Sequence, residues 1–268
     1  MKRLLILAAF LATCAPALAQ SDNALSDDAL CVDRPGLGAP ACVLPKGQAM
    51  AELGLLGWDH RADAASVADE LAYGDLLLRY GLGSATEIEL GIEALGTERV
   101  RDRASGTVER VSGVGDVTLA LRHNLSGGDG PMAVHAYVTL PTGRDGIGAG
   151  DWGAGVLVPI ELPLGAGFEL GLTPEVDAAV NASGRGRHLA WGGVVGLGHD
   201  LTRSLSAEAE IAAWRDQDPE GHATDARAAL SLAWRVAADW QLDAEVELGL
   251  TSAAPRHSVF FGLARRFR

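Results

Sequence analysis

Three stretches of this chain alternate residue by residue between aliphatic and charged or small side chains, and this pattern constrains the fold more than any other feature. From Thr86 to Leu95, Ile88, Leu90, Ile92 and Ala94 share one parity while Glu87, Glu89, Gly91 and Glu93 share the other. Phe168 to Asp177 sets Phe168, Leu170, Leu172 and Val176 against Glu169, Thr173, Glu175 and Asp177. Trp240 to Thr251 sets Trp240, Leu242, Val246, Leu248 and Leu250 against Asp243, Glu245, Glu247 and Thr251. A period of two is the period of a strand, and it puts the carboxylates on one face and the aliphatics on the other.

Extending this reading gives twelve candidate strands, at 49–58, 70–81, 84–97, 114–124, 131–140, 150–161, 165–177, 188–200, 204–216, 225–237, 240–250 and 257–267. Two of them, 204–214 and 224–238, are rich in alanine and have fair helix propensity. They keep an apolar parity (Leu205, Ala207, Ala209 and Ile211; Leu230, Leu232, Trp234 and Val236) and read as strands. Soluble strands average about five or six residues, whereas a strand tilted across a bilayer needs about 9–11. The connections alternate too. Tight ones fall at 82–83, 125–130, 162–164, 201–203 and 238–239, and longer polar ones at 59–69, 98–113, 141–149, 178–187, 217–224 and 251–256. Short turns at one end and long loops at the other are the habit of outer-membrane barrels, with the tight end periplasmic.

The expected fold class is therefore all-β, a transmembrane antiparallel β-barrel of twelve strands over residues 49–268. Its interior should collect Arg79, Glu87, Glu89, Glu93, Arg122, Glu169, Glu175, Glu208, Glu210, Arg235, Asp243, Glu245 and Glu247 as lumen-lining groups. Trp58, Trp152 and Trp214 fall near the long-loop ends of strands, and Trp240, Tyr80 and Phe267 near the tight-turn ends, as two interfacial girdles would. Trp214 carries lumen parity and is expected to line the mouth unless the register slips there.

The remaining sequence agrees with export. Residues 1–20 place Lys2 and Arg3 before an apolar run ending Ala17-Leu18-Ala19, the pattern of a signal peptide. Residues 21–48, with four aspartates and three prolines, read as an irregular periplasmic segment. Cys31 and Cys42 lie in it and are the disulfide candidates of an oxidising compartment, whereas Cys14 lies in the leader. With 22 basic and 35 acidic residues the net charge is −13, which argues against a nucleic-acid partner. The seven histidines show no metal-ligand spacing, so no metal and no cofactor are expected. Gly113-Val114-Gly115-Asp116 and Gly148-Ala149-Gly150-Asp151 precede strands, not the helix that a phosphate cradle requires, and no G-x-S-x-G elbow occurs. The chain does not read as an enzyme.

Gly113-Val114-Gly115-Asp116-Val117-Thr118-Leu119-Ala120-Leu121-Arg122 resembles the strand opening of the family named for the MetA-pathway of phenol degradation. The likeness continues in Leu140-Pro141-Thr142-Gly143, Asp151-Trp152-Gly153, Gln241-Leu242-Asp243, Gly249-Leu250-Thr251 and Ser258-Val259-Phe260-Phe261-Gly262-Leu263. It implies a Gram-negative outer-membrane barrel that transports small hydrophobic or aromatic solutes, with outer-membrane lipid and the barrel-assembly machinery as partners. One departure is the end of the chain, where Phe267 is followed by Arg268 instead of closing the sequence. Two other readings stay open: a structural or receptor barrel with a filled lumen, and a soluble periplasmic β-sandwich that binds a ligand.

Overall fold

Each alternating stretch pairs antiparallel with its neighbour in sequence, and the last strand returns to the first. A computed structural model describes residues 30–268 of the chain. The signal-peptide reading of residues 1–20 lies outside the described residues. The strands are β1 (Ala49–Ala62), β2 (Ser66–Gly81), β3 (Thr86–Asp102), β4 (Val108–Gly113), β5 (Val117–Asn124), β6 (Ala133–Leu140), β7 (Gly153–Leu157), β8 (Ile160–Gly165), β9 (Phe168–Val180), β10 (Arg187–Asp200), β11 (Leu205–Asp216), β12 (Ala223–Ala237), β13 (Trp240–Gly249) and β14 (His257–Phe267). β4 and β5 both pair β3 and make one stave; β7 and β8 both pair β9 and make another. The fourteen segments thus form twelve staves, and β1 pairs β14 from Ala49↔Phe267 to His60↔His257 to close the barrel. Closure leaves no open edge, which a sheet in hydrocarbon cannot tolerate.

The apolar parity points outward. Ile88, Leu90, Leu119, Leu121, Val195, Ile211, Leu230, Leu232 and Val246 are all exposed on the outer surface. The polar parity points inward, where Glu87, Glu89, Arg122, Glu210, Asp243 and Glu245 are buried. In water such an exterior would be an association surface; in a bilayer it is the solvent-facing surface. Trp152, Trp191 and Trp234 stand on the outside, whereas Trp214 turns inward and donates its Nε1–H to Glu175 (3.0 Å), lining the mouth.

Several connections differ from the sequence reading. The loops expected at 59–69 and 98–113 are ladder for much of their length: β1 and β2 pair up to Ala62↔Val67, and β3 and β4 up to Arg101↔Val108. Polar loop composition there marks strand continued beyond the apolar band. The tight turn expected at 162–164 lies further on, because β8 runs to Gly165 and the chain reverses through Gly165, Ala166 and Gly167, all at positive φ. The stave expected at 150–161 breaks between Leu157 and Ile160, where Pro159 has no N–H to give the ladder.

Candidate functional site

Residues 30–48 cross the barrel interior near its tight-turn end, before β1 begins at Ala49. An irregular segment enclosed by a barrel must find partners for its amides. Here lumen carboxylates supply them. Glu52 accepts from the N–H of Asp33 and of Arg34 (3.1 Å each). Glu245 accepts from Gly36 (2.9 Å), Glu210 from Leu37 and Gly38 (2.8 and 2.9 Å), and Glu87 from Leu44 (2.6 Å). Gly36 lies at φ +129°, and a Cβ on Gly38 would stand 3.2 Å from Thr173 Oγ1, so glycine lets the backbone come this close to the wall. Cys31 and Cys42 form a disulfide with their Cα atoms 5.9 Å apart, closing the inserted loop.

One side of the lumen clamps this insert with paired charges. Arg79 contacts Glu52 (2.9 Å), Glu87 (2.6 Å) and the carbonyl of Cys31 (2.6 Å). Arg122 contacts Asp33 (2.6 Å) and Glu89 (3.0 Å), and Glu89 in turn lies 3.3 Å from His135 Nε2. Both guanidinium groups are fully buried. On the adjoining staves Arg34 reaches Asp75 (3.3 Å) and Asp243 (3.6 Å), and Gln241 donates to the Arg34 carbonyl (2.8 Å). Charges as buried as Arg79, Arg122, Glu52 and Glu87 persist only when paired and hydrogen-bonded.

The side formed by β8 to β12 is different. A cavity of about 440 Å³ lies between Pro35 of the insert and the wall at Pro163, Phe168, Glu169, Glu208 and Ser231. A second, of about 130 Å³, continues beside Gly38, Ala39 and Pro40 against Glu161, Gly171, Gly196 and Glu210. The two share Pro35, Glu169 and Glu208, and neither is lined by a Lys or Arg. Gly171, Gly196 and Gly198 put no side chain into this space.

The structure distributes the thirteen lumen candidates among distinct roles. Arg79, Glu87, Glu89 and Arg122 form the clamp, while Glu210, Asp243 and Glu245 hold the insert. Glu169 and Glu208 line the cavities. Glu247 pairs with Arg227 (3.0 Å), Glu175 with Trp214, and Glu93 packs beneath Gly115; Arg235 lies near the tight-turn end of β12 on the inward parity. Glu52, Asp33, Arg34 and Glu161 belong to the same interior and were not among the candidates. Glu52 shares parity with Met50 and Gly54, a signal too short to separate from an ordinary surface strand.

The quoted motifs meet in space. Asp116 accepts from the N–H of Gly143 and of Ala149 (2.7 Å each), and Thr142 Oγ1 accepts from Val117 N–H (2.9 Å). The G-x-G-D and L-P-T-G stretches are therefore two halves of one loop clasp. Asp151 similarly caps the 181–186 loop through Gly186 N–H (2.9 Å); that bond first, then one from Trp152 N–H, holds its carboxyl below the usual aspartate range. At the same long-loop rim His188, Asp216 and Asp218 come together from three elements, a grouping invisible in the linear histidine spacing.

Comparison with known proteins agrees with this architecture. A family model described as MetA-pathway of phenol degradation matches residues 32–267. No curated protein sequence matches the chain. Among solved structures, an outer membrane channel from Pseudomonas putida F1 superposes with a TM-score of 0.67 at 16% identity, covering 87% of this chain and 99% of that one. The translocator domain of the autotransporter NalP from Neisseria meningitidis gives 0.51 at 13% identity, covering 82% and 88%. The beta domain of a Bordetella autotransporter gives 0.52 at 14% identity, covering 83% and 100%. These likenesses establish a shared fold, that of a closed antiparallel β-barrel, and the family match covers nearly every described residue. The chain belongs to the MetA-pathway of phenol degradation family.

Proposed function

We propose that this barrel passes small neutral or cationic solutes across the outer membrane of a Gram-negative cell, along the β8–β12 side of its lumen. The observation that carries this reading is the pair of adjoining cavities beside the insert, which share Pro35, Glu169 and Glu208. Carboxylates without a neighbouring Lys or Arg in the lining make a negative local field, which favours cations and opposes inorganic anions. Pro35 and Pro163 add apolar surface to the same space, suited to weakly polar molecules, including those with one aromatic ring. The family is named for a phenol pathway and the similar Pseudomonas protein is a channel; both support this reading.

Planar-bilayer recordings on the purified protein test it. A cation-preferring conductance is expected, and its preference should fall when Glu169 and Glu208 are both changed to Gln. Absence of conductance, together with no solute entry into proteoliposomes, would favour the second reading, a structural barrel whose lumen the clamped insert fills. We also place the longer loops outside the cell. A cysteine at Ser105 or Ser183 should then react with an impermeant thiol reagent on intact cells, and reaction only after outer-membrane rupture would reverse the orientation.

A further inference from the structure

At the long-loop rim, away from the lumen path, His188 near the start of β10, Asp216 at the end of β11 and Asp218 in the following loop each offer one ligand atom, all within 4.8 Å of one another. The imidazole is nearly enclosed, with 4% of its side chain exposed. Its tautomer follows from its neighbours. The Asn181 side-chain amide donates from Nδ2 to the Arg185 carbonyl (2.8 Å), which turns Asn181 Oδ1 toward His188 Nδ1 (2.9 Å). That oxygen can only accept, so Nδ1 carries a proton, with Asp218 Oδ2 also 3.5 Å from it, and Nε2 is left to face Asp216.

Nε2 makes no hydrogen bond, although Asp216 Oδ1 lies 2.7 Å away. With Nε2 unprotonated, the imidazole nitrogen and the carboxylate oxygen are two acceptors at that distance, an arrangement that a shared cation relieves. Imidazole nitrogen with carboxylate oxygens is a donor set that suits a borderline divalent metal, and zinc commonly takes three protein ligands and a water. The Nδ1–H bond to an amide oxygen is the outer contact that orients a ligating histidine. The carboxylate of Asp218 is itself fixed by the N–H groups of Ala182 and Glu220 (2.6 and 2.7 Å). We propose that His188, Asp216 and Asp218 form a zinc-class divalent metal site that ties the 181–186 loop to the 217–222 loop at the barrel mouth.

The test is zinc titration of the full-length protein in detergent micelles by calorimetry, with excess magnesium present to saturate weak acidic sites. One equivalent of zinc should bind the unaltered protein. Binding should be lost in His188→Gln and in Asp216→Asn, and Asn181→Ala should weaken it about tenfold or more, the usual cost of removing an orienting outer contact. Heat-modifiable gel migration would check that each variant keeps its barrel. The Asp216→Asn change lies at a half-exposed position and gives a readout even if His188→Gln does not fold. No binding by the unaltered protein would overturn the proposal, as would equal binding by a folded Asp216→Asn variant.

Discussion

The two sides of this lumen use the same residue type for opposite ends. On the β1–β6 side, Glu52, Glu87 and Glu89 are locked by Arg79 and Arg122, and water is excluded. On the β8–β12 side, Glu161, Glu169 and Glu208 face open volume with no Lys or Arg in the lining. The difference teaches that lumen acidity is not one property. A carboxylate opposite an arginine acts as a structural anchor, whereas one beside a glycine-cleared gap is free to set the field of the proposed passage. The insert is clamped by paired charges from the first side; on the second Glu210 takes two of its amides, and the space beside Glu169 and Glu208 stays open.

The hardest blow to this asymmetry is loss of a clamping cation. Arg79→Met leaves Glu52 buried without its partner and Glu87 with only the longer contact to Arg122 (3.7 Å), and breaking such a buried pair costs about 3–5 kcal/mol. Urea unfolding in micelles should show the loss, and channel recordings should show larger, noisier currents as the insert loosens. A smaller effect is expected from replacing Cys31 and Cys42 by Ser. The disulfide closes a short loop, for which the chain-entropy estimate is about 3 kcal/mol. That stabilisation belongs to the insert, so protease should cut within 30–48 while the barrel band stays intact. Glu210→Ala comes next. It strands two insert amides beside a cavity that admits water, which holds the cost to about 1 kcal/mol each, and it enlarges that cavity. Glu210→Gln keeps an acceptor and should sit between the two proteins in conductance.

The smallest effect lies far from the clamp. Asp63 in the β1–β2 turn and Asp102 at the end of β3 accept amide bonds from Ser66 and Ala65 and from Ser105, and these hold both carboxyls below the usual aspartate range. A carboxyl lowered on folding stabilises its turn above its unfolded value, about 3.9, and loses that contribution as pH falls through the lower folded value. Amide exchange in the 63–66 and 102–105 turns should therefore quicken only below about pH 4, leaving the lumen-buried amides of Leu37 and Gly38 protected. Equal quickening in the insert would contradict the separation of rim from clamp.

Much of the wall was legible in the sequence because membrane strands repeat one rule, and Glu87, Glu89, Asp243 and Glu245 declare their face by parity alone. The family motifs were legible as strings. Their meaning was not, because the contact of Asp116 with Gly143 and Ala149 joins positions that only the loop brings together. The insert was legible only as composition. Nothing in the run from Cys31 to Gln48 says that its backbone will take lumen carboxylates as partners, since that depends on the barrel's diameter and on where β1 starts. Arginine pairing was equally hidden: Arg79 and Arg122 have inward parity, but that they share Glu87 follows from the stagger of neighbouring strands.

The passage along β8–β12 is the claim that most needs a direct test, and single-cysteine block of channel current provides it. With the Cys31–Cys42 bond left oxidised, one variant carries Glu208→Cys in the cavity lining and another Ala264→Cys, buried on the clamped side with 1% exposure. A cationic, membrane-impermeant methanethiosulfonate reagent added during bilayer recording should reduce the current of the Glu208→Cys channel and leave that of Ala264→Cys unchanged. Block at Ala264→Cys with none at Glu208→Cys would put the path on the other wall and contradict the account.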